Sequence, residues 1–267
     1  MLNHHVTAIM ENEWAQLRRN KVALFTILAP PVLLVTVGVA VLLLSALLHA
    51  TSSQIEGTLA PLWTQGHQAT YRSGAAMVQS ALLSPLLLLF QLIPLVVPMT
   101  IASYSIVGEK QSRSLEALLA TPIHTWELLL GKALAAALPA LLATWLGFDV
   151  FALVAWVLLD RALFAELIVG PTWVLGMLML TPLFAMLAVG VGIIISSKVR
   201  EPQSAQQFSS LIVLPILGAL VGQIVGLVQM SVGFILVTAV AVGLVDLAVL
   251  GLAVKLFNRE SILIHWR

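Results

Sequence analysis

The sequence predicts an all-α membrane protein with six transmembrane helices, an N-terminal amphipathic interfacial helix, a short cytosolic helix between the second and third spans, and both termini inside. Three observations predict it. Of 267 residues, 60% are hydrophobic and only 9% are charged, whereas an average soluble domain carries charge on about a quarter of its residues. Six apolar stretches are each near or above the roughly 20 residues that cross a bilayer. Basic residues fall almost wholly on one side of those stretches.

A chain this apolar cannot cover itself with polar surface, so its solvent is mostly lipid. Lipid requires every backbone polar group to be paired internally, which leaves helices or closed barrels. The apolar runs far exceed a barrel strand of about 10 residues, so helices are predicted over about 22–48, 81–107, 133–159, 167–195, 211–228 and 232–254. Residues 1–21 form the N-terminal helix and 22–267 the six-helix domain. The first span is too long for the apolar core of a signal peptide and is read as retained.

Orientation follows from Lys and Arg, which stay preferentially in cytoplasmic loops. With the N-terminus inside, only Arg72 and Arg161 of the 13 basic residues fall outside. Before the first span, Val6, Met10, Trp14 and Leu17 recur at helical spacing while Glu11, Asn12, Gln16 and Arg18 fall elsewhere on the wheel. That pattern predicts an amphipathic helix at the inner membrane surface. The loop 49–80 carries Trp63 and Tyr71, suited to an interface, and is too short and apolar for a separate domain. Little more than Gln229 to Ser231 joins the last two spans, so a tight hairpin is expected.

Several chemistries are excluded. A formal net charge of +1 lacks the concentrated basic surface that nucleic acid demands. There is no cysteine, hence no disulfide or thiolate chemistry. A phosphate-cradling loop needs G-x-x-x-x-G-K-[ST], but Gly131-Lys132 is followed by Ala133 and has Trp126 at the first glycine position. His4, His5, His49, His67, His124 and His265 are scattered without metal-ligand spacing. Neither a catalytic residue nor a bound cofactor or metal is expected.

Two acids lie within predicted spans, Asp149 and Asp246. Each costs about 2.5–3.5 kcal/mol at a helix centre on insertion scales, so neither is expected to face lipid. They serve either a cation or proton step or a buried hydrogen bond between helices, and their different depths argue against a shared proton. Gly218, Gly222 and Gly226 repeat at small-xxx-small spacing and predict a packing seam on one helical face, either within the bundle or at a subunit interface.

The inner loop after the second span begins Gly108-Glu109-Lys110-Gln111. Glu109 and Arg113 form a favourable i,i+4 pair, and Leu115, Leu118 and Leu119 an apolar strip. Thr121-Pro122 breaks this helix and supplies the cap and first residue of the next. A short cytosolic helix from Gly108 to Leu119 is predicted.

This loop resembles the signature of ABC-2 type permeases, the membrane subunits of type-2 ATP-binding-cassette exporters. The matching residues are Glu109, Lys110, Leu115, Glu116, Leu118, Leu119, Thr121, Pro122, Leu130, Gly131 and Lys132, with departures at Gln111, Arg113 and Ser114. A second likeness runs from Ser196 to Gln207 and includes Lys198, Arg200 and Glu201. The resemblance implies a six-helix permease domain that pairs with a second permease subunit, identical or different, in a prokaryotic cell membrane. It implies coupling to a separate cytosolic ATPase, which holds the ATP and Mg, through Glu109, Lys110, Arg113, Leu115, Glu116, Leu118, Leu119, Thr121 and Pro122. Lys198, Arg200 and Glu201 would form a second contact. An ion-coupled secondary transporter using Asp149 or Asp246 is the alternative, and a polytopic membrane enzyme or assembly factor a third reading. The substrate is not implied, since the family moves lipids, drugs, polysaccharides, peptides and ions.

Overall fold

The computed structural model describes residues 2–19, 21–51, 74–111, 125–199 and 210–256, with Ser204 and Gln207. These residues are helical almost throughout, and no strand occurs among them. The α-helices are α1 Leu2–Arg19, α2 Lys21–Thr51, α3 Gly74–Phe90, α4 Ile93–Gln111, α5 Thr125–Leu158, α6 Arg161–Leu167, α7 Pro171–Leu175, α8 Thr181–Lys198, α9 Leu214–Ile224 and α10 Val232–Leu256. A π-helical turn, Gly176–Leu180, joins α7 to α8, and a 3-10 turn, Ser210–Val213, leads into α9.

Five segments are long and apolar enough to cross a membrane: Ile27–Leu47, Gln79–Ser105, Leu130–Leu158, Arg161–Ser196 and Val232–Ala253. The fifth expected span, 211–228, is shorter than its composition suggests. Its apolar helix covers Leu211–Ile224 and stops in a glycine cap. Gly226 has φ 82°, its N–H bonds the Gln223 carbonyl at 3.1 Å, and the Leu227 N–H reaches the Gly222 carbonyl at 2.7 Å. That pair of bonds is the Schellman termination, which wants glycine at the left-handed position.

The second expected span is two helices. Pro94 has no N–H for the Phe90 carbonyl and its ring crowds that turn, so α3 ends at Phe90 and the Leu92 N–H bonds back to the Leu89 carbonyl at 3.0 Å. The helix that carries the third span starts at Thr125, ahead of the span itself, and runs for 34 residues, a length of about 51 Å. That exceeds the ~30 Å hydrocarbon core, so part of α5 projects beyond it. The fourth is interrupted: α6 folds over before α7, and Gly170 fits the corner because an added Cβ would stand 2.0 Å from the Glu166 carbonyl oxygen. Ser231 caps α10 by accepting the Phe234 N–H at 3.2 Å, as its residue type favours.

At the centre, α4 and α8 pack backbone to backbone. A Cβ at Gly192 would lie 3.3 Å from that of Ala102 and 3.5 Å from the Met99 carbonyl oxygen, the small-residue contact that membrane helices use where hydrophobicity supplies no drive. α5 lies against α1, α2 and α4, and α10 against α8. Towards the end remote from α1, Phe90, Phe148, Phe151 and Trp173 form a ring cluster, with Phe151 stacked on Trp173 at 5.8 Å. Large apolar side chains such as Phe25, Val157, Val237 and Leu247 cover the outside.

Candidate functional site

At the α1 end of the bundle, three elements meet around one buried ion pair. The pattern of α1 is as its periodicity predicts: Val6 is buried, Met10, Trp14 and Leu17 are partly so, and Glu11, Asn12, Gln16 and Arg18 are exposed. Its apolar face rests against protein, chiefly the start of α5. Gly131 makes room, since a Cβ there would stand 2.9 Å from the Ile9 side chain.

Glu13 shares that buried face, three residues from Met10 and seven from Val6. The Lys132 Nζ donates to Glu13 Oε1 at 2.5 Å and to Ser105 Oγ at 2.7 Å, while Ser105 Oγ donates to Glu13 Oε1 at 2.8 Å. Glu13 and Lys132 are only 5% and 6% exposed. Beside them the Trp14 indole N–H donates to the Ala135 carbonyl at 3.0 Å. Ala135 stands four residues before Pro139, which has no N–H to return to it. α1 therefore supplies the donor that α5 lacks.

A second polar joint lies inside the bundle. Gln91, at the break between α3 and α4, is fully buried. Its amide donates to the Gly176 carbonyl at 3.0 Å and accepts from the Thr181 hydroxyl at 3.2 Å. The Trp145 indole reaches the next carbonyl of the π turn, Met177, at 3.1 Å. Two interrupted spans are thus latched to each other, and both accepting carbonyls belong to the π turn Gly176–Leu180, an element frequent at functional sites.

The two predicted intramembrane acids separate in environment. Asp246 is 6% exposed, and neither carboxylate oxygen has a hydrogen-bond partner among the described residues. It sits on α10 between Gly243, which faces Leu183, and Val249, which fills the space at Gly190. The expected interior hydrogen bond between helices is not formed there. Asp149 is exposed on the outer face of α5 within this single chain, so its cover from lipid must come from outside the chain.

The predicted glycine face does not run unbroken to Gly226, and it makes no close helix contact among the described residues of this chain. Gly226 lies beyond α9, nothing comes within 4 Å of a Cβ at Gly218, and Gly222 faces Val228 of its own hairpin. α9 is tied to the bundle by Ile216, buried in the apolar core, and by Gln223 Nε2, which donates to Ser84 Oγ at 3.0 Å.

Of the loop residues singled out, Glu109 and Lys110 continue α4 to Gln111 without a break at Gly108, and Lys198 ends α8. Arg113, Leu115, Glu116, Leu118, Leu119, Thr121, Pro122, Arg200 and Glu201 lie outside the described residues. Sequence reading missed Glu13, Ser105 and Gln91, and named Lys132 only as a signature match, without its ion-pair partner. Glu13 was detectable as a carboxylate on the apolar face of an amphipathic helix, and Lys132 as the basic residue at the mouth of an apolar run.

Among the described residues, no group of three or more His, Cys, Asp or Glu could hold a metal. Polar chemistry is spent on joining helices, and the outside is apolar, which defines a multi-pass helical membrane protein. The chain belongs to the ABC-2 family transporter proteins, whose family model matches residues 7–235, and it is a permease of that type. A comparison with curated proteins finds no match. The family match takes in the Glu13–Lys132–Ser105 joint, the Gln91 joint and Asp149.

Proposed function

We propose that this permease is the membrane half of an ATP-driven exporter. It pairs with a second permease subunit in a prokaryotic cell membrane, crosses it six times with both termini inside, and forms the translocation path. A separate cytosolic ATPase, carrying the ATP and Mg, docks at the α1 end of the bundle. The basic asymmetry of the sequence supports placing that end on the cytosolic side.

The observation that carries the reading is the Glu13–Lys132–Ser105 joint. It binds α1, the last turns of α4 and the first turns of α5 into one body, and α4 and α5 are the two helices that the 112–124 segment connects. A push on that segment is then delivered to three helices at once. Coupling needs only that the rigid element favour one of two bundle arrangements when nucleotide is bound.

A docking surface reads charge sign as well as apolar shape. The double reversal Glu109→Lys with Glu116→Lys should leave insertion and pairing intact while substrate-stimulated ATP hydrolysis and transport fall together. Normal transport by that variant, or a permease that never co-purifies with an ATPase, would refute the coupling. Asp246, buried and unpartnered among the described residues, favours one second reading, ion-coupled transport. Uptake by the permease alone in proteoliposomes under an ion gradient would establish it.

A further inference from the structure

Asp149 lies on an exposed stripe of α5 with Leu142, Leu146, Leu153 and Trp156. Steps of three and four residues keep all five on one helical face. Trp156 is the aromatic residue of that stripe nearest the end of α5, and tryptophan favours the membrane–water boundary. Asp149 is seven residues further in, about 10 Å deeper. It has no hydrogen-bond or ion-pair partner among the described residues.

A carboxylate at that depth is not left facing hydrocarbon, so something else covers the stripe. A second copy packed symmetrically would place its own Asp149 at the same level, because a two-fold interface presents the same patch from both sides. Like charges would then meet. No basic residue of α5 is near enough to intervene, Lys132 being 17 residues away, about 26 Å along the helix. Lipid amines sit in the headgroup layer, above this level. What complements the stripe in charge, depth and polarity is a cation that travels within the bilayer.

We propose that the Asp149 stripe binds lipophilic organic cations: the positive centre lies against the Asp149 carboxylate and the apolar body on Leu146 and Leu153, with the Trp156 ring closing the outer end of the stripe. This deepens the exporter reading by naming a substrate class, and depends on that reading only for calling the cation cargo.

The test is equilibrium binding of radiolabelled tetraphenylphosphonium to the intact permease in nanodiscs, without nucleotide or ATPase. The expected result is saturable binding that weakens at least tenfold in Asp149→Asn, is largely kept in Asp149→Glu, and weakens several-fold in Trp156→Leu. Neutral triphenylphosphine oxide should compete poorly. Equal affinity in Asp149→Asn, or no saturable binding to the native chain, overturns the proposal. So does efficient disulfide formation between two copies carrying Leu146→Cys or Leu153→Cys, which would show a second copy on the stripe. Any of these failures leaves the ATPase coupling intact, because the assay contains neither nucleotide nor ATPase.

Discussion

Replacing Lys132 by methionine tests the joint at the α1 end most directly. Lys132 and Glu13 are 6% and 5% exposed and share one carboxylate oxygen with Ser105. Removing one member of such a pair strands the other charge away from water, at a cost of about 3–5 kcal/mol. Methionine keeps most of the volume of the lysine stem, so the loss is electrostatic and not a cavity. If the cost falls on the docking of α1 alone, the ratio of docked to free helix drops roughly 100- to 4,000-fold at 1.4 kcal/mol per factor of ten. Hydrogen exchange of α1 peptides in nanodiscs reads that ratio as lost protection. Glu13→Gln should act similarly, whereas Glu13→Gln with Lys132→Met should return to within about 1 kcal/mol of the native chain, because neither charge is then stranded. The reasoning is refuted if either single change costs under about 1 kcal/mol, or if the double variant costs the sum of the two.

Gln91→Leu leaves the Gly176 carbonyl and the Thr181 hydroxyl buried without their partner and should cost about 1–3 kcal/mol; a thermal unfolding midpoint unchanged from the native protein would show that the latch contributes nothing. Gly226→Ala forces a Cβ into the left-handed conformation at φ 82° and should destabilise by about 1 kcal/mol. Gly218→Ala, with open space at its Cβ and a helical backbone, should be neutral or slightly stabilising. The opposite ranking in thermal unfolding would contradict the glycine cap.

Five apolar segments were legible as spans because length and composition are unambiguous over 20 residues or more. What the sequence could not separate were helices with internal stops. The 81–107 run is continuous in hydropathy, but Pro94 cuts it, and a proline in a membrane span is also compatible with a kinked single helix. The 211–228 run reads as one helix because it is predominantly apolar; Gly226 within it serves as a cap, a role fixed by backbone φ, which composition does not encode. Asp149 is expected away from lipid because a span acid seeks cover; which face of α5 it shares is set by helical phase, which places it with Leu142, Leu146, Leu153 and Trp156, and that phase could have been counted. Glu13 and Lys132 lie 119 residues apart, a pairing that no local pattern announces.

The Trp14 to Ala135 hydrogen bond gives the long third span a conditional stiffness. Pro139 divides α5 into a lower piece of 14 residues and an upper piece that carries Asp149 and the stacked rings. A helix with an unmet carbonyl opposite a proline bends readily, and Trp14 acts as a splint across that point. While α1 is docked, tilt applied near Thr125 is transmitted whole to the far end; about 5° over the ~51 Å rod moves it some 4 Å. Were α1 to lift away, the Ala135 carbonyl would lose its donor and part of the same tilt would go into bending at Pro139.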